Sequence, residues 1–326
     1  MKRAKKKKRI RPLVIVGIIL ASLGLCLVLS GLIVSKFDLH DFCTIHYERK
    51  SQEISDSFSN LTVKNDVADI TVRTSPDNVC RIESDESDLI FNEITVKDGT
   101  LSITRIDKRH WYEKVISLSF VSPKIIVYLP AKSYNALTVF GKTGDLTADV
   151  TSPVTTLRLS GTKGNIFCRA NPKNSLVATT TTGDVKIFES STAACTVTAT
   201  KGKVSVWDIK AGELTLSAAS GDLRLANVDA DRIKATTTKG KIILIDTIAK
   251  SDLNLKSTTG KVSLRRADAR HIFIETTRGS VIGTICSDKI YDVTSAKGSL
   301  VYPSSAGSDT CTVRTTKGSV KLEKES

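Results

Sequence analysis

The chain holds 326 residues, more than one ordinary domain needs, with 48 Lys and Arg against 34 Asp and Glu for a formal charge of +14. That charge is no nucleic-acid signature, because eight of the cations lie in residues 1–11 and the remainder is only +6, from 40 basic and 34 acidic side chains. The seven cysteines include no Cys-x-x-Cys pair, so zinc and thiol-redox centres have no support.

Residues 1–11 hold Lys2, Arg3, Lys5, Lys6, Lys7, Lys8, Arg9 and Arg11 and no acid. Residues 12–34 then run for 23 positions without a charge, which predicts one transmembrane helix, since about 20 apolar residues cross a bilayer. Positive charge ahead of the span places the N-terminus in the cytoplasm and the C-terminal domain outside the cell membrane. The same cations favour anionic lipid headgroups. A cleaved signal peptide has a shorter apolar run and a small-x-small site, and the leucine before Cys26 spoils a lipoprotein site. The expectation is an uncleaved single-pass anchor, with no nucleic acid within reach of the exterior domain.

Residues 35–60 read as a polar juxtamembrane linker, and residues 61–135 as a β-rich N-terminal cap. Alternation begins at Leu61 and Val63, continues at Ile70 and Val72, and recurs at Ile94 and Val96 and at Leu101 and Ile103. Asp98 and Gly99 between the last two runs are a hairpin signal. Residues 125–129 form a buried strand stopped by Pro130. A cap is needed because an open solenoid end exposes unpaired strand edges.

From 136 to 326 the chain repeats. Gly144, Gly164, Gly183, Gly202, Gly221, Gly240, Gly260, Gly279, Gly298 and Gly318 fall 19 or 20 residues apart. With each glycine as zero, positions −7 and −5 are mostly apolar (Leu157 and Leu159, Leu214 and Leu216), and position +2 is apolar in every repeat. Both flanks are therefore strands with one buried face, and the parity switch between them requires a corner at the glycine. The expected fold is all-β: a single-stranded parallel β-solenoid of about ten coils, right-handed by the usual crossover preference, preceded by the cap and the transmembrane helix.

The order Ser57, Phe58, Leu61, Thr62, Val63, then Asp98 to Leu101, then Ile126 to Pro130, followed by Thr-Gly-Asp at 143–145 and 182–184 and by Thr-Lys-Gly units, resembles the bacterial DUF4097 family of candidate adhesins. The resemblance covers roughly residues 55–326. It implies a β-repeat protein, often membrane-anchored and tied to the cell envelope, and brings no catalytic residues to carry over.

Asp145, Asp184 and Asp222 suggest a carboxylate set for sugar hydrolysis, but each fills the slot after a turn glycine, where aspartate is favoured anyway. His40, His46, His110 and His271 share no register, and the glycines fit no phosphate-binding loop. No catalytic, cofactor or metal site is expected. Cys168, Cys195 and Cys311 occupy inward positions, which favours buried thiols over disulfides. Trp111 and Tyr112 are expected to plug the solenoid end.

Two surface rows carry the functional expectation. Position −2 is threonine in seven repeats (Thr162, Thr181, Thr200, Thr238, Thr258, Thr277, Thr316), and position −1 is basic in six (Lys163, Lys201, Lys239, Arg278, Lys297, Lys317). Charges at −4 (Lys256, Glu275, Arg314) break the regularity an ice-binding face needs. The rows suit exposed β-surface and guard against edge pairing. They also form a repetitive face for an anionic cell-wall polymer or glycan. The leading expectation is a non-catalytic, outward-facing adhesion or envelope-interaction module. The alternatives are an accessory envelope-stress sensor signalling through a membrane partner and, third, a polysaccharide-active enzyme.

Overall fold

The computed structural model describes residues 12–34, 45–116 and 122–325. It divides into two compact units, residues 1–46 with 109–121 and residues 47–108 with 122–326. The basic tip, Cys43 and His40 lie outside the described residues.

The first unit contains a helix at Pro12–Val34, apolar on every side. Its polar side chains are turned inward: Ser22 Oγ donates to Ile19 O (2.8 Å) and Ser30 Oγ to Leu27 O (2.9 Å). Side chains are described continuously only over residues 14–30, and among the described residues no helix is long and apolar enough to cross a membrane. The expected span is thus not among the structural findings. A second, short helix at Trp111–Ile116 stacks His110 on Tyr112 at 5.4 Å. Trp111 is 78% exposed, so it is no plug.

The second unit is one core from end to end. Its earliest coil in sequence, Asn60–Asn65 followed by Asp69–Thr74, lies between two parallel neighbours: Tyr134–Thr143 with Leu146–Lys163 on one side, and Thr100–Asp107 with Lys124–Leu129 on the other. Antiparallel strands close this end. Ile90–Lys97 and Thr100–Asp107 form a hairpin whose turn residues Asp98 (φ 50°) and Gly99 (φ 68°) are left-handed, as the Asp-Gly signal requires. Glu48–Glu53 pairs antiparallel with Arg81–Glu86 and forms a wholly exposed edge. Its sequence, Glu-Arg-Lys-Ser-Gln-Glu, resists further strand pairing.

Beyond the cap, strands such as Val185–Lys201, Val204–Ser220 and Leu223–Lys239 stack in parallel with each residue over its repeat equivalent: Val185 pairs Val204 and Val204 pairs Leu223. The solenoid has about nine turns rather than ten. Each turn has three inward faces, not the two expected. Positions +2 and +4 line the first, and −7 and −5 line the last. Between them +7 (Ser190, Ile209, Val228, Thr247, Ala267) is buried in the central turns. The extra face needs an extra corner, which falls at +6. There Glu189, Asp208, Asn227, Asp246 and Arg266 all adopt left-handed φ between 46° and 55°.

Cys168, Cys195 and Cys311 are buried free thiols, as expected, and Cys80 joins them. Burial pushes the Cys195 and Cys311 thiols up to about 12 and Cys80 to about 11.

Stacking order departs from sequence order at the C-terminal end. Thr310–Lys317 pairs with His271–Arg278 on one side and with Ile290–Lys297 on the other. Val320–Lys324 lies likewise between Val281–Ile285 and Leu300–Val301. The final coil is inserted beneath the one that precedes it in the chain.

Candidate functional site

The glycine corner is the most regular feature of the surface, and its geometry explains its composition. At Gly202 (φ 149°) a Cβ would lie 1.9 Å from the carbonyl oxygen of Gly183, one turn below. The same overlap recurs where φ is ordinary, as at Gly240, whose Cβ would meet Gly221 O at 1.9 Å. Close approach of the coils therefore excludes a side chain even where backbone angles do not.

Around this corner the aspartates serve the turns of their neighbours. Asp145 Oδ1 accepts the backbone N–H of Asn165 (2.7 Å), Asp184 Oδ1 that of Lys203 (2.8 Å) and Asp222 Oδ1 that of Lys241 (2.8 Å). Asn165 Oδ1 does the same for Asp184 (2.9 Å). Each carboxylate thus caps the turn of the next coil through one of its oxygens, which is the local role that turn chemistry gives it. On the inner side, hydroxyls at −3 reach the glycine carbonyls of a neighbouring coil: Thr180 to Gly164 O (3.2 Å), Thr237 to Gly221 O (3.1 Å) and Ser257 to Gly240 O (3.2 Å).

The basic row forms one exposed file, but with a stepped spacing. Register runs Lys163, Thr182, Lys201, Ser220, Lys239, Thr259 and Arg278, so cations occupy alternate coils, roughly 9.6 Å apart. At the end of the file Arg278, Lys317 and Lys297 then occupy successive coils, roughly 4.8 Å apart. From Lys239 to that end, the residues flanking the corner glycines include Lys239, Lys241, Lys261, Arg278, Lys317 and Lys297 and no carboxylate. The threonine row runs beside this file and is exposed throughout. At −4, Lys256 pairs with Glu275 (2.9 Å), and Lys256 and Arg314 both lie over Phe273, so the charges that break the threonine pattern support each other.

The histidines do not converge. His271 Nδ1 lies 3.1 Å from Thr310 Oγ1 on the last face, whereas His110 belongs to the other unit. Among the described residues no group of His, Cys, Asp or Glu is arranged to hold a metal.

One feature escaped the sequence reading. Phe167, Phe188 and Trp207 stack on successive coils, with centroids 5.1 Å and 4.5 Å apart. Phe188 and Trp207 share position +5, an outward position, so aligning outward residues by repeat reveals the pair.

A parallel solenoid with a capped first end, a glycine corner and a cationic file defines a repeat-built interaction scaffold. The chain belongs to the DUF4097 (Toastrack) family, whose model matches residues 58–323. Its fold resembles a candidate adhesin from Bacteroides fragilis, at 16% identity over 85% of this chain and 97% of that one, with a TM-score of 0.41. It also resembles a candidate lipid-binding protein from Parabacteroides distasonis, at 17% identity over 87% and 98% of the two chains, with a TM-score of 0.43. A candidate adhesin from Parabacteroides merdae follows at 12% identity, 86% and 98% coverage and a TM-score of 0.32. No curated protein matches the chain.

Proposed function

We propose that the protein is a non-catalytic, membrane-anchored module that holds a β-solenoid outside the cell and binds an anionic envelope polymer along its glycine corner. The observation that carries this reading is the exposed cationic file, densest at Arg278, Lys317 and Lys297 and free of carboxylates beside the corner from Lys239 onward. A rigid ladder of cations suits a repeating polyanion, because each weak contact raises the effective concentration of the next. Anchoring rests on the uncharged run of residues 12–34 behind eight cations, and an outward solenoid follows from the same charge asymmetry.

The test is retention of the detergent-solubilised chain on immobilised wall teichoic acid. Retention that falls steeply with salt, and that drops at least tenfold in a variant carrying Arg278→Glu, Lys297→Glu and Lys317→Glu, is the expected result. A variant that elutes with wild type removes the cationic file from the account.

A further inference from the structure

On the first face, a few residues past Lys201 of the cationic file, the aromatic stack ends at Trp207. Phe188 lies parallel to Trp207, at 9° and 4.5 Å, and so covers one side of the indole. Register places Ala226 next to Trp207 on the other side, and Ile245 beyond Ala226. Among the described residues no ring or cation stacks on that second indole face. The result is a slot with a methyl floor, an indole wall and an aliphatic wall, spanning two coil steps, or roughly 9.6 Å. One pyranose ring fits between walls that each need about 3.5–4.0 Å of contact distance.

Polar groups border the slot. Asp208 directly follows Trp207, and Asn227 directly follows Ala226; both are left-handed corner residues, and Asn227 Nδ2 donates to Asp208 Oδ1. At the corner, sharing Asp208 and Asn227 with the border of the slot but not its walls, a cleft of about 200 Å³ lies between Glu189, Asp208, Lys210, Asn227 and Asp229. Its lining has three carboxylates against one ammonium, the reverse of the glycine corner. The cleft disfavours a polyanion, Arg224 and Arg265 on the slot's own outward face can donate to sugar hydroxyls, and an acyl chain would strand the carboxylates without partners. Hydroxyl groups, by contrast, satisfy carboxylates and amides while a sugar's apolar face stacks on the indole.

We infer that Trp207, Ala226 and the corner residues Asp208 and Asn227 form a binding site for one sugar ring of a neutral polysaccharide, separate from the cationic file. The site does not depend on the polyanion reading, since it uses another face, another charge and another ligand class.

The chain has two tryptophans, Trp111 and Trp207, so Trp111→Phe leaves Trp207 as the sole reporter. The probes are neutral oligosaccharides, N-acetylglucosamine tetramer and laminarin hexamer, titrated into the full-length variant in detergent. A saturable change in Trp207 fluorescence with at least one probe is the expected result. Ala226→Phe on that background extends the aromatic stack by one ring and closes the slot. It should keep or raise the melting temperature while lowering affinity by roughly tenfold or more, the scale of one lost aromatic contact. No saturable response, a response to wall teichoic acid alone, or full binding by a folded Ala226→Phe variant overturns the assignment. The first and last of these outcomes leave retention on teichoic acid through the cationic file untouched, so the two sites fail separately.

Discussion

Replacing Gly202 by alanine should be among the most damaging single-methyl changes available to this protein. The added Cβ would sit 1.9 Å from the oxygen of Gly183 and 2.6 Å from its carbonyl carbon. To reach even 3.0 Å, the two coils must part by roughly 1.1 Å at this corner. They are joined there by Gly183 N–H to Lys201 O and Val185 N–H to Lys203 O, both 2.9 Å, and such a displacement breaks both. Two lost backbone hydrogen bonds with groups left unpaired, plus a φ of 149° that alanine resists, amount to about 3–5 kcal/mol. In a solenoid of this size that corresponds to a melting temperature lowered by on the order of 10 °C. Gly161→Ala is the matched control, because its Cβ would meet only Leu146 Cδ1 and Thr180 Oγ1 at 3.7 Å. It should stay within about 0.5 kcal/mol of wild type. Thermal unfolding followed by circular dichroism at 218 nm, roughly the β-sheet minimum, compares the three proteins. A Gly202→Ala protein that melts with Gly161→Ala refutes the idea that close coil approach, rather than local turn preference, selects glycine here.

Asp184→Ala removes the acceptor for the Lys203 amide, so that amide should exchange about tenfold faster while global stability falls by about 1 kcal/mol or less; unchanged exchange would show the cap to be idle. Maleimide should modify Cys286, which is exposed, in the native protein and reach Cys168, Cys195 and Cys311 only after denaturation, as peptide mapping by mass spectrometry can show. The buried thiols also set an alkaline limit. Cys195 and Cys311 rise from 9.0 to about 12 on folding, so their contribution is intact below pH 9 and is lost as pH climbs from 9 toward 12. Denaturant midpoints measured across that window should therefore fall, and fall less in a Cys195→Ala, Cys311→Ala double variant.

Legibility followed chemistry. The first and last faces of each coil were readable because Val185, Ile187, Cys195 and Val197, and their equivalents, are apolar at alternate positions. The middle face was not. Its buried positions mix Ser190, Thr192 and Thr247 with Ala230 and Ala249, and in the central turns only Ile209 and Val228 are large and apolar, which leaves no repeating hydropathy pattern. Its corner residues run Glu189, Asp208, Asn227, Asp246 and Arg266, and only the Asn and Asp members hint at left-handed backbone. Glycine spacing reported the content of each coil but not its neighbour, so Gly279 and Gly298 looked consecutive although Gly318 lies between them. The cationic row and its crowding at one end were visible, since Arg278, Lys297 and Lys317 precede three consecutive repeat glycines, while the order of those three cations was not. The aromatic stack was missed for a plainer reason: the apolar alignment followed inward positions only.

That inverted order makes the last segment of the chain a bolt. Residues 290–301 pair with no coil but 310–324, and therefore have no seat until the final segment has arrived. A chain emerging N-terminus first can zip coil upon coil up to Arg278 and must then wait. Closure of the far end becomes a single late event, and a chain cut at 309 would leave residues 290–301 without the only strands they pair with.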